Sequence, residues 1–165
     1  MIRRSAKIEH PKPDRARRTT SMEFRPIKES DLGSTYDIRF SVTENRILPH
    51  QIHLLERDRV LEQLRSGFGV LAIEGDAAVG YCTATGGRHA FINALFVRPA
   101  WHGAGVGREM LERALAWLRE QGSESVSLVT DPGSRADGFY QHLGWIRGEL
   151  DSYGCQVTFR KSLST

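Results

Sequence analysis

The chain has 165 residues, 39% hydrophobic and 26% charged, with a net charge of +3. That length bounds it to one domain with a core of its own, closed without metal or disulfide staples. Two cysteines, Cys82 and Cys155, exclude a disulfide framework; both read as small core residues inside strands, in a reducing compartment. No apolar run approaches the about 20 residues of a membrane helix, and the N-terminus lacks the apolar stretch of a secretory signal. His50, His53, His89 and His102 are scattered, with no spacing that marks a metal site. The expected setting is cytoplasmic.

Charge divides the chain at residue 21. Residues 1–21 hold Arg3, Arg4, Lys7, Lys12, Arg15, Arg17 and Arg18 against Glu9 and Asp14, with Pro11 and Pro13 and almost no large apolar residue. This composition reads as a basic, disordered tail. A nucleic-acid arm is the weaker reading of it; sequence upstream of a native start at Met22 is favoured, because structured sequence begins there. Residues 22–165 then form a single domain with a slight acidic excess.

In that domain Glu23 to Ile27 reads as a short strand, and Ser30 or Asp31 as the cap of a helix over Leu32 to Thr43. A loop around Ile47 to His53 leads to a second helix, Arg57 to Ser66, terminated by Gly67. Gly69 to Glu74, Val79 to Thr85 and Ala90 to Val97 are three strands joined by Gly75-Asp76 and Gly86-Gly87, a meander. Pro99 marks the exit of the third. Gly103, Ala104, Gly105, Val106 and Gly107 make a turn nearly free of side chains. A helix from Val106 to Gln121 follows, with Val106, Met110, Leu111, Ala114, Leu115 and Leu118 at helical spacing. Ser125 to Thr130 is the next strand, reached by a crossover and hence parallel to Ala90 to Val97. A helix over Ser134 to Leu143 and a hairpin of Trp145 to Leu150 with Gln156 to Lys161 complete a mixed central sheet flanked by helices.

The strand–glycine–helix unit carries the chemistry. A helix start presents unpaired N–H groups at the positive end of its dipole, so its natural guest is a phosphate or pyrophosphate. The spacing is G-x-G-x-G, not the G-x-G-x-x-G of dinucleotide sites. Gly107 is followed by Arg108 and Glu109, which excludes a nucleotide-triphosphate loop. The unit resembles instead the acetyl-CoA motif of the GCN5-related N-acetyltransferase (GNAT) family. His102, Gly105 and Gly107 occupy the motif's places, with His102 where Gln or Arg is usual. D-P-G-S-R-A-D-G-F-Y-Q-H-L-G-W resembles the family's later motif through Ala136, Phe139, Tyr140, Gly144 and Trp145, with Gly133 where many members have Asn.

The resemblance covers about Glu23 to Lys161 and implies an acyl-CoA N-acyltransferase-like α/β fold. It implies that the amides from Gly103 through Arg108 hold the pyrophosphate of acetyl-CoA, the co-substrate, and that Leu95, Phe96 and Val97 pair with its pantetheine arm. Tyr140 is implied as the acid that protonates departing CoA; Arg135, at the start of the same helix, suits a phosphate contact and a solvated charge equally. The family's usual strand carboxylate is missing at Ile92, Asn93 and Ala94. Glu44 is therefore the candidate base, with Asp131 as the other carboxylate near a strand end, equally suited to cap the last helix or fix the loop. Arg39, Asn45 and Asn93 fall on the substrate side, together with Arg46. The activity implied is N-acetyl transfer to a primary amine, the acceptor a small molecule; a protein or peptide acceptor and a non-turnover acetyl-CoA-binding module are the alternatives. A homodimer is compatible; a membrane partner is not expected.

Overall fold

The computed structural model describes residues 22–164. The readings made for residues 1–21 lie outside them. Seven strands form one sheet: β1 (Met22–Pro26), β2 (Phe68–Glu74), β3 (Ala77–Thr85), β4 (His89–Val97), β5 (Ser125–Thr130), β6 (Ile146–Leu150) and β7 (Val157–Ser162). Their spatial order is β1-β2-β3-β4-β5-β7-β6. Four α-helices accompany them: α1 (Leu32–Ser41), α2 (Arg57–Ser66), α3 (Val106–Glu120) and α4 (Arg135–His142).

The meander β1 to β4 is antiparallel, as its short turns require. The helical crossover makes β5 parallel to β4, and β7 then returns antiparallel to β5. α3 buries Val106, Met110, Leu111, Ala114, Leu115 and Leu118, the six residues that recur at helical spacing. They pack with Val70, Cys82, Ile92, Val126, Tyr140 and Phe159 in the main core on one face of the sheet. A side chain buried as fully as Met110 (0% exposed) stabilises the fold by about 1.5–3 kcal/mol. The opposite face carries a smaller cluster of Ile38 from α1 with Leu71, Tyr81 and Ala94. α2 lies on that face too, where Leu64 fills the space above Gly69 beside Ile27.

Several local expectations are corrected. Neither Ser30 nor Asp31 caps α1 with its side chain. A short 3-10 turn, Glu29–Asp31, precedes the helix, and the Asp31 carboxylate takes the Lys28 amide and both guanidinium arms of Arg25. Gly67 does follow α2, but at φ −124. Its requirement is space, since a Cβ there would collide with the Ala84 carbonyl oxygen. Cys82 is the buried core residue expected, its thiol pushed up to about 12 by burial. Cys155 is exposed and sits in no strand. Asp151 accepts from the amides of Cys155 and Gln156, which closes a wide loop and delays β7 until Val157.

Candidate functional site

The two central strands part company. β4 pairs with β5 only over His89, Ala90 and Phe91, opposite Ser125, Val126 and Ser127. β4 continues to Val97 along β3, and β5 continues to Thr130 along β7. Beyond Phe91 the backbone edges that the two strands would have shared face an opening. A bulge sits at the point of divergence: Thr83 pairs with Ala94 and Ala84 with Ile92, leaving Asn93 as the extra residue. A bulge bends and twists its strand, which turns the end of β4 away from β5.

A cleft of about 730 Å³ occupies the opening. It is lined by Phe91 to Val97 of β4, Leu128 to Thr130 of β5, the glycine turn, the start of α4 and the segment after α1. At one mouth Gly105 caps α3 at φ +82 and Gly103 stands at φ +76, both in the left-handed region that favours glycine. The first bond into α3 runs from the Glu109 amide to the Gly105 carbonyl. The amides of Val106, Gly107 and Arg108 therefore have no helical acceptor. This arrangement fits a pyrophosphate. Ala104 does not line the cleft and packs against the core instead. Arg108 lines it while pairing with Glu112 at 3.2 Å.

His102 lines the cleft, but its ring turns back on β4, where Nε2 donates to the Val97 carbonyl at 2.8 Å. The imidazole thus ties the loop to the strand end. Trp101 is held by its indole N–H on Glu74. Leu95, Phe96 and Val97 all border the opening.

Tyr140 lines the cleft from α4 with only 5% exposure. Its ring packs edge-on against Phe139 and Trp145 and lies against Phe159. Burial pushes its phenol well above the ordinary value, so the hydroxyl stays protonated. Asp137, one turn earlier, anchors the helix that carries Tyr140. Its carboxylate takes Arg147 at 3.0 and 3.1 Å, the Gly133 amide at 2.9 Å and Gln141 at 2.8 Å. Arg147 chiefly, then the Gly133 amide, hold it down at about 2 against the opposing effect of burial.

The other mouth is built after α1. Glu44 is exposed and accepts from the Arg135 amide at 2.6 Å, so it caps the start of α4 from across the fold. Asn45, at φ +54, joins its own loop to the end of β5: its side-chain Oδ1 accepts from Thr130 Oγ1 at 2.8 Å and the Asp131 amide at 2.6 Å. Asp131 accepts in turn from the Asn45 amide and from Gln156 Nε2. Gln51 Nε2 donates to Gln156 Oε1 at 2.7 Å and its own carbonyl takes the Leu48 amide. Asn45 lines the cleft with its side-chain oxygen and backbone amide bonded, and both carboxylate oxygens of Asp131 accept bonds. Asn93 lines the cleft with its amide on Thr85 Oγ1 at 2.7 Å. Arg39 and Arg135 line it also, whereas Arg46 does not.

Gln51, Gln156, Thr130 and Trp101 were not singled out from the sequence, and no local signal would have found them. Their place in the site comes from partners far away in the chain. Among the described residues, no group of three His, Cys, Asp or Glu side chains could hold a metal ion, and no helix is long and apolar enough to cross a membrane.

A mixed seven-stranded sheet whose parallel pair opens beside an amide-lined helix start is the acyl-CoA N-acyltransferase-like fold. A profile of the acetyltransferase (GNAT) family matches residues 34–145, and the chain belongs to that family. Among curated proteins it is similar to an uncharacterized ycf52-like N-acetyltransferase of Prochlorococcus marinus, 35% identical over 69 residues. That match spans 41% of this chain and only 37% of the relative's length. Among solved structures it resembles PaiA N-acetyltransferase of Thermoplasma acidophilum in complex with coenzyme A, at 14% identity and TM-score 0.72 over 86% of this chain and 99% of that one. A GNAT-family acetyltransferase of Staphylococcus aureus Mu50 superposes with TM-score 0.74 at 16% identity, over 87% of this chain and 99% of that one.

Proposed function

We propose that the protein transfers an acetyl group from acetyl-CoA to a primary amine of a small-molecule acceptor. One observation carries the reading: a single cleft runs from the free amides at the start of α3, along the parted edge of β4, to the loop after α1. The first end suits phosphates. The strand edge suits an extended, amide-bearing arm, recognised by main-chain groups as a strand would be. The thioester then falls along the parted edge beyond the bulge, and the amine enters from the α1 side. The coenzyme A named in the complex of the Thermoplasma acidophilum relative supports acyl-CoA as the donor.

The chemistry assigns roles to residues already in place. An alkylamine is largely protonated at pH 7 and attacks only when neutral. Glu44 is the carboxylate among the residues lining the cleft. Oε2 is occupied by the Arg135 amide; the other oxygen takes the proton, directly or through water. An amide on the open edge near Phe96 or Val97 faces the oxygen that gains charge as the amine attacks. Tyr140, kept protonated by burial, supplies the proton to the departing thiolate.

The test is release of free CoA from acetyl-CoA across a panel of primary amines, with product masses recorded. Saturable release with at least one small amine, and a product heavier by one acetyl group, is expected. Tight acetyl-CoA binding without turnover for any amine would leave a binding module. Turnover confined to peptides or proteins would leave the donor half standing and overturn the small-molecule acceptor.

A further inference from the structure

The acceptor half of the cleft contains a cation, Arg39, that no acidic side chain pairs with among the described residues. Among the described residues lining the cleft, the Lys, Arg, Asp and Glu side chains are Arg39, Arg108, Arg135 and Glu44. Arg108 pairs with Glu112, and Glu44 is bonded to the start of α4. The guanidinium of Arg39 lies over the ring of Phe96, 4.5 Å from its centroid. It stands beside Tyr81, where its charge and a hydrogen bond to the hydroxyl counter the upward push that burial gives the phenol. Arg39 Nε is buried and makes no hydrogen bond.

Packing over an aromatic face satisfies part of the charge but accepts none of the in-plane N–H donors. A buried donor without a partner is costly, and a guanidinium presents its donors in a fork that matches a carboxylate. Placement then selects the ligand. Ile38, the neighbour of Arg39 in α1, packs with Tyr81 and Ala94 on the sheet face opposite α3. Arg39 therefore stands away from the glycine turn, with Asn93 and the loop after α1, where the acceptor enters.

We propose that Arg39 determines acceptor specificity by binding a carboxylate carried by the amine, so that the acceptor class is amino acids and similar small amino acids of carboxylate form. This rests on the acyl-transfer reading above for the identity of the other cleft half, but not for the anion preference itself.

The experiment titrates the protein, with and without saturating CoA, with matched pairs: linear ω-amino acids of increasing length and their carboxamides, then an acidic dipeptide and its amide. Calorimetry reads binding, and CoA release reads turnover. The carboxylate of at least one pair is expected to be favoured by about tenfold or more, with the margin shrinking at high salt. Arg39→Gln should erase the margin and Arg39→Lys should keep part of it, both with acetyl-CoA affinity unchanged. The dipeptide arm tells whether the carboxylate belongs to a free amino acid or to a short acidic peptide. Equal binding within every pair, preference for the amides, or a margin that survives Arg39→Gln would overturn the proposal. Failure to bind CoA would sink the acyl-transfer reading instead, and the titration without CoA would still report on Arg39.

Discussion

Tyr140 shows how one side chain serves both core and site. Its ring packs with Phe139, Trp145 and Phe159, while the residue also lines the cleft. Removing the ring would cost about 3–5 kcal/mol of packing and prove nothing about catalysis. Tyr140→Phe removes only the hydroxyl. An alkyl thiolate is already a fair leaving group, since thiol pKa values lie near about 8.5, so acid assistance should fall at the low end of the usual range, about 10²-fold. Single-turnover acetyl transfer should slow by that order while acetyl-CoA affinity hardly changes, the mark of an interaction made in the transition state. An unchanged chemical step would leave Tyr140 a packing residue. Glu44 asks for a different substitution. Glutamine keeps an acceptor for the Arg135 amide and loses the basic oxygen. Glu44→Gln should lower turnover most where the amine is still protonated and least at high pH. A pH–rate profile parallel to that of the parent would transfer the role to solvent.

At the scale of the element, α3 and α4 both begin at the cleft, and their starts are made differently. α3 starts on a left-handed glycine, a feature legible from G-x-G-x-G alone. Gly105→Asp tests it. A Cβ there meets nothing within 4 Å, and Asp tolerates the left-handed region better than most residues, so the variant should fold. Its carboxylate would stand among the amides proposed to hold phosphate, and acetyl-CoA affinity should fall at least about tenfold by calorimetry. Unchanged affinity would place the donor elsewhere. α4 starts on Ser134, whose hydroxyl caps Asp137 as its residue type suggests. Its further anchors were not legible, because Glu44 and Arg147 arrive from distant segments. Asp137 makes the start of α4 sensitive to acid. Its folded pKa lies below the unfolded value, so its contribution is full above about 4, near the model-peptide value, and is lost as pH falls toward about 2. The stability gap between parent and Asp137→Asn, measured by denaturant titration, should be constant above pH 5 and close between pH 4 and pH 2. A gap that stays constant down to pH 2 would show that the charge contributes nothing.

Across the whole molecule, the site exists because two strands separate and a third segment holds the gap's rim. Periodicity and turn residues predicted the strands themselves; α2 and β5 have the expected limits because helical spacing and alternation are local properties. The separation is a relation between β4 and β5, and no residue of either announces it. The rim is less local still. Asn45 and Asp131 lie 86 positions apart, and Gln51 and Gln156 lie 105 apart. Read locally, Asp131 suited a proton, a helix cap and a loop anchor equally; with Asn45 it forms a chain through Gln156 and Gln51 that fastens the loop after α1 to the ends of β5 and β7. Gln156 is its middle member, 5% exposed, touching both Gln51 and Asp131. Gln156→Leu keeps the bulk but removes one bond each from the half-buried Gln51 and Asp131, at a cost of about 1 kcal/mol. Because the glycine turn and β4 take no part in this chain, that cost should be felt locally. Amide exchange over residues 43–51 should accelerate, and the acceptor KM should rise several-fold, while acetyl-CoA affinity holds within about twofold. Equal losses of donor and acceptor binding would mean that the two halves of the cleft are held by one common frame, and that the loop after α1 is not a separately fastened acceptor wall.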